Sequence, residues 1–200
     1  MRELTYLVAS TLDGRITGPA NDNPDFFLLE GDHAQPTRDE FPEIIPTHFR
    51  PMLGMVDVPN AQFDTVLQGR GSYDIGLREG ITNAYRHLRS IVFSRTMAES
   101  PDPTVELVRT DPVAKVRELK REPGAGIWIC GGGKLAAALL PEIDRIVVKL
   151  HPVVAGDGIP LFGGDFSPTR FRLARTQPFD SGVLHLTYRR GAFSPEKEAK

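Results

Sequence analysis

The chain has 200 residues, 40% of them hydrophobic and 25% charged, with a formal net charge of -2 and a sequence pI near 6.2. That length suits one domain with a full core, and so even a charge balance gives no electrostatic case for nucleic acid or an anionic membrane. A single cysteine, Cys130, excludes an internal disulfide, no apolar run approaches the roughly 20 residues that span a bilayer, and no basic-then-apolar leader opens the chain, so the expectation is a cytoplasmic protein.

The first predicted strand is LTYLVAS (4–10), almost continuously apolar, as a strand buried on both faces reads. TLDGRITG follows as a turn. Residues 19–63 are the least legible: PANDNPD is loop, and DEFPEIIPTHFRPMLGM carries three prolines, leaving room for one short helix among turns. Strand-like runs then recur as DTVLQG (64–69), SIVFS (90–94), VELVR (105–109), GIWIC (126–130) and DRIVVKLHPVV (144–154). Helical patterns lie between them at 72–88, at 112–121 with Asp111 as cap and Pro112 first, and at 134–140. Strands alternating with helices predict an α/β domain, a mostly parallel sheet with helices on both faces. FRLARTQPFDSGVLHLTYRR reads as an antiparallel hairpin on the sheet edge, and the charged tail 194–200 as frayed. One domain over 1–200 is expected, its core at about 3–190.

Three strand ends carry one kind of signal. Gly69, Arg70, Gly71, Ser72 and Tyr73 follow one strand; Ser94, Arg95 and Thr96 another; Gly131, Gly132 and Gly133, with Lys134 and Leu135 opening a helix, a third. Ligands of open α/β sheets bind outside the carboxyl ends of the strands. Backbone N–H groups, arginine forks and hydroxyls gathered there suit a ligand with more than one phosphate. Neither the G-x-G-x-x-G fingerprint nor the P-loop is present: TLDGRITG does not match the first, and GGGK is followed by Leu135.

ASTLDGRITG (9–18), VLQGRGSYD (66–74), VFSRT (92–96), WICGGGKLAAALL (128–140) and HPVVAGDGIPLF (151–162) occur in that order. Together they resemble the dihydrofolate reductase-like superfamily, and within it the reductase domain of riboflavin biosynthesis (RibD C-terminal-like) and its stand-alone bacterial relatives. The resemblance covers about residues 3–190. It implies a mixed sheet, parallel apart from its C-terminal strand, and NADPH as cofactor. It further implies that Gly131–Gly133, Lys134 and Leu135 take the pyrophosphate and that Gly69–Tyr73 cover the phosphates from the other side. Ser94, Arg95 and Thr96 would surround the adenosine 2′-phosphate, Ala9 and Ile16 would line the nicotinamide pocket, and Cys130 would face its nicotinamide end.

Asp13 has two readings: a turn aspartate bonded to nearby backbone, or a catalytic polar group at the substrate end. Phe26 and Phe27 are candidates to stack on a planar ring, or are core. The five histidines and Cys130 show no metal-ligand spacing, so no metal is expected. The zinc-deaminase signature that bifunctional riboflavin enzymes carry is absent. The leading expectation is hydride transfer from NADPH to a planar heterocycle, by family a 5-amino-6-(5-phosphoribosylamino)uracil-type precursor. The alternatives are a dihydrofolate or pterin reductase and a non-catalytic NADPH-binding module. A homodimer is expected to cover the apolar strand bearing Val183, Leu184, Leu186 and Tyr188.

Overall fold

A computed structural model describes residues 1–21 and 24–191; the tail at 194–200 lies outside the described residues. Six strands run parallel: β1 (Leu4–Ser10), β3 (Phe63–Gly69), β4 (Arg89–Phe93), β5 (Val105–Val108), β6 (Gly126–Gly131) and β7 (Arg145–Leu150). The hairpin of β9 (Phe171–Pro178) and β10 (Leu184–Arg190) completes the sheet, with β10 antiparallel to β7. The strand order is β5-β4-β3-β6-β1-β7-β10-β9. A separate antiparallel pair joins β2 (Arg15–Thr17) to β8 (Ile159–Pro160). Because β6 returns between β3 and β1, the connections diverge there, and a crevice opens at the carboxyl ends of these three strands.

Alternation along the central strands sorts the core into two layers. Leu4, Tyr6 and Val8 of β1 pack with Ile127 and Ile129 against α3 (Pro112–Arg121) and α4 (Gly133–Ala138), through Val116, Leu119, Leu135 and Leu139. Leu7, Val66, Trp128 and Val147 point to the other face, under Phe41 and Tyr85. Tyr73 of α2 (Arg70–Arg78) packs on Val92 and Val105 beside them. Among the described residues, α1 (Ala34–Glu40) and two 3-10 turns are the regular structure of the proline-rich stretch before β3.

α3 begins as its sequence predicts: the Asp111 carboxylate accepts from the Val113 N–H at 2.8 Å, with Pro112 in the first helical position. The helix expected over 72–88 is shorter. It stops at Arg78 because Gly80 turns to φ +76 and the Ile81 N–H folds back onto the Gly76 carbonyl at 2.8 Å. The expected edge strand is a second correction. β10 lies between β7 and β9, so Leu184, Leu186 and Tyr188 are covered within the chain itself. The edge is β9, whose Arg172 and Arg175 are exposed and whose last residue is Pro178, features that blunt strand addition.

Candidate functional site

Two cavities occupy the crevice and meet at Asn21, Ser72 and Gly132, which line both. The larger, about 1000 Å³, is polar at its walls: Gly69, Arg70 and Gly71 on one side, Ser94, Arg95 and Thr96 on a second, and Gly133, Lys134 and Leu135 on a third. The three strand ends singled out in the sequence therefore do converge. Arg109, Thr110 and Asp111 complete this cavity, and the sequence reading passed over Arg109 because it stands alone after its strand. Among the described residues, four cations line the cleft against one carboxylate, Asp111, whose oxygen is already engaged at the start of α3. Such a wall favours a polyanion.

The three glycines serve three purposes. Gly131 adopts φ +152, a region L side chains rarely enter. A Cβ on Gly132 would meet nothing within 4 Å, since it would project into open space where the two cavities join. A Cβ on Gly133 would overlap the Pro160 carbonyl oxygen, and the Gly163 N–H donates to the Gly133 carbonyl at 3.0 Å. The turn is thus kept bare on its cleft side and packed tightly on its other side. α4 has only 6 residues, so bare backbone and arginines, rather than a long helix dipole, form the cradle.

The smaller cavity, about 330 Å³, is apolar and aromatic. Ala9, Ile16, Phe27, Ile44, Tyr85 and Trp128 give it flat walls. Its floor is the set of side chains that alternate onto one sheet face at the ends of adjacent strands: Gln68 of β3, Cys130 of β6, Ala9 of β1 and Lys149 of β7. The Cys130 sulfur lies 3.9 Å from the Ser72 hydroxyl and 3.7 Å from the Tyr85 hydroxyl, and burial pushes its thiol pKa up. Cys130 is a neutral packing group there, not a thiolate. Tyr73 lines the cavity, but its hydroxyl is spent on the Thr82 carbonyl at 2.6 Å. The Ser94 hydroxyl accepts from the Met97 N–H at 3.1 Å and shapes its own turn.

Asp13 lines neither cavity. Its carboxylate accepts from the Thr11 hydroxyl at 2.6 Å, the Gly156 N–H at 2.7 Å and the Ala155 N–H at 3.0 Å. These bonds hold its pKa down to about 2, Thr11 contributing most. The turn-aspartate reading describes this geometry: an ionised carboxylate bonded to nearby hydroxyl and backbone donors, outside both cavities. Phe27 is buried and lines the apolar cavity, while Phe26 packs against it, centroids 4.6 Å apart and rings tilted by 51°, without reaching the wall.

Phe27 is held by histidines that the sequence did not mark. His151 packs on it at 4.8 Å and accepts from the Leu28 N–H through Nδ1 at 3.3 Å. Nε2 of His33 meets the Leu28 carbonyl at 3.1 Å, and its Nδ1 meets the Ser181 hydroxyl at 3.0 Å. Nε2 of His185 lies 3.1 Å from the Thr37 hydroxyl. That hydroxyl donates to the His33 carbonyl at 2.6 Å, so His185 must supply the proton of its own bond. Among the described residues no group of three or more His, Cys, Asp or Glu is placed to hold a metal ion, and no helix is long and apolar enough to cross a membrane.

The profile of the RibD C-terminal domain matches residues 2–185 of the chain. The uncharacterized Bacillus subtilis (strain 168) protein YyaP is 28% identical over 200 residues, covering 94% of each chain. A second uncharacterized protein of that strain, YwjB, is 34% identical over 125 residues, covering 61% of this chain and 72% of its own. Among solved structures, a putative riboflavin biosynthesis protein from Shewanella sp. PV-4 superposes with a TM-score of 0.68 at 22% identity, over 95% of this chain and 99% of that one. The Thermotoga maritima diaminohydroxyphosphoribosylaminopyrimidine deaminase/5-amino-6-(5-phosphoribosylamino)uracil reductase gives 0.62 at 16% identity, over 95% of this chain but 57% of that longer one. Both share the fold of this chain.

Proposed function

The chain belongs to the RibD C-terminal domain family, and from that premise we propose that it is an NADPH-dependent reductase of a planar heterocycle. The observation that carries the proposal is the joining of the two cavities across bare Gly132. One compartment is large and arginine-lined, the other small, flat-walled and apolar. A dinucleotide with phosphates at one end and a planar ring at the other has that shape and that polarity.

The residues present fit the cofactor. Arg95, with Ser94 and Thr96 beside it and Arg109 across the cleft, would hold the 2′-phosphate. Gly132, Gly133, Lys134, Arg70 and Gly71 would hold the pyrophosphate, and Ala9, Ile16 and Cys130 would bound the nicotinamide. When bound, NADPH supplies a hydride. The chain's own part is to press two flat rings together against Ala9 and to keep water out with Phe27, Trp128 and Tyr85. The family points to a ribosylaminopyrimidine of riboflavin biosynthesis as substrate.

Loss of NADPH absorbance on adding planar oxo-heterocycles tests the reading. Turnover abolished by a bulky side chain at Ala9 supports it; no oxidation of NADPH with any such compound would remove the catalytic role.

A further inference from the structure

Lys149 lies on β7 opposite Ala9 of β1 and His185 of β10. It is a cation on the floor of the apolar cavity, next to last in β7 and on the same sheet face as the buried Val147. Its ammonium has neither an ion-pair partner nor a hydrogen-bond partner among the described residues. A half-buried ammonium without a partner leaves part of its desolvation cost uncompensated. The groups around it do not offset that cost. Cys130 of β6 is a neutral thiol. His151, in the turn after β7, and His185, across the ladder, are held neutral by burial and by Lys149 itself. Among the described residues, the one carboxylate lining the cavity is Glu79, exposed just past the end of α2.

We propose that Lys149 is the substrate-recognition group of this cavity, and that the ligand it selects is a planar ring presenting an anionic or carbonyl oxygen to the floor. The proposal deepens the reductase reading by naming the substrate's chemical class. It sets this cavity against rings that need an acid for a protonated nitrogen. Asp25, Glu30, Asp32, Asp39 and Glu40, the acids of residues 24–41, do not line it.

The test uses two probes of the same size and opposite charge, benzoate and benzamidine, titrated into the full chain without cofactor and followed by amide NMR. Benzoate is expected to bind at least tenfold tighter, with shifts at Ala9 and Cys130. Lys149→Met should remove that preference, and Lys149→Arg should retain most of it. Equal or tighter binding of benzamidine, a preference unchanged in Lys149→Met, or benzoate shifts confined to Ser94 and Arg95 would each overturn the proposal. The wild-type comparison stands even if the Met variant does not fold. NADPH titration of the same sample reports separately on the reductase reading: NADPH binding without a benzoate preference sinks only the role of Lys149, and the converse sinks only the cofactor.

Discussion

The Asp13 carboxylate accepts from the Gly156 N–H at 2.7 Å, tying the turn after β1 to a loop 143 residues away in sequence. That loop runs on into β8, whose Pro160 carbonyl backs Gly133, so Asp13 supports the glycine turn from behind. Asp13→Ala should lower the melting temperature and weaken cofactor binding, while leaving the pH profile of turnover unmoved. Because its folded pKa, about 2, lies below the ordinary 3.8, its contribution is full above the unfolded value and is lost as pH falls from 3.8 toward 2. A turnover profile that lost a titrating group in Asp13→Asn would assign it a catalytic role.

The neighbouring glycines should respond differently to the same methyl group. Gly133→Ala overlaps the Pro160 carbonyl and should destabilise the fold by about 1–3 kcal/mol, the usual cost of overpacking. Gly132→Ala meets no protein atom within 4 Å; it should change thermal stability far less and weaken NADPH binding. Thermal melts and calorimetry on the two variants give the comparison. Equal melting temperatures would contradict it.

Lys149 should cost stability at neutral pH. Burial holds its pKa down to about 8 from an ordinary 10.5, so the unfolded chain binds the proton more readily and stability rises with pH between those values. A displacement of that size corresponds to at most roughly 3 kcal/mol, and the partial exposure of Lys149 to the cavity lowers it. Lys149→Met should therefore be more stable than the wild type at pH 7, and should lose the rise on the alkaline side. Urea melts across that range measure both effects.

The histidines around Phe27 make the opposite end of the range sensitive. Burial first, and Lys149 second, lower His151 and His185 from 6.5 to about 4. The unfolded chain gains protons in that window before the folded one does, so stability falls as pH drops from 6.5 to 4, by on the order of 3 kcal/mol for each ring. His185→Gln should flatten part of that decline. Phe27 rests on His151, so its ring signals should shift over the same interval, and an unchanged Phe27 environment at pH 4.5 would refute the link.

How much of this was legible in the sequence depended on whether a residue acts in a pattern. β1 is read to the residue, because seven successive side chains are nearly all apolar. The three loops of the polar cleft are also legible, since Gly69–Ser72, Ser94–Thr96 and Gly131–Gly133 each break a strand with residues that strands disfavour. Gly80 was not weighed as a stop, so the helix over 70–78 was drawn too long. β10 was placed at the edge because sequence order does not reveal that the hairpin's first strand folds outside its second. The apolar cavity was the least legible part. Gln68, Lys149 and Trp128 sit on separate strands, and only the sheet order makes them neighbours. One signal was available: a lysine inside DRIVVKLHPVV is out of keeping with a strand buried on both faces.

Arg95 should set the choice of cofactor. It is exposed on the wall of the polar cleft and makes no ion pair within the described chain. Arg95→Ala should weaken NADPH by about 1.5–3 kcal/mol, as expected for loss of a charge-assisted hydrogen bond, and leave NADH nearly unchanged. Equal losses for the two would make Arg95 structural.

The central claim is that the joined cavities form one dinucleotide site, and calorimetric titration of the unmodified chain with NADPH tests it most directly. One NADPH per chain should bind saturably and more tightly than NADH, with amide shifts at both Arg95 and Ala9. The absence of saturable NADPH binding, or shifts confined to one compartment, would contradict it.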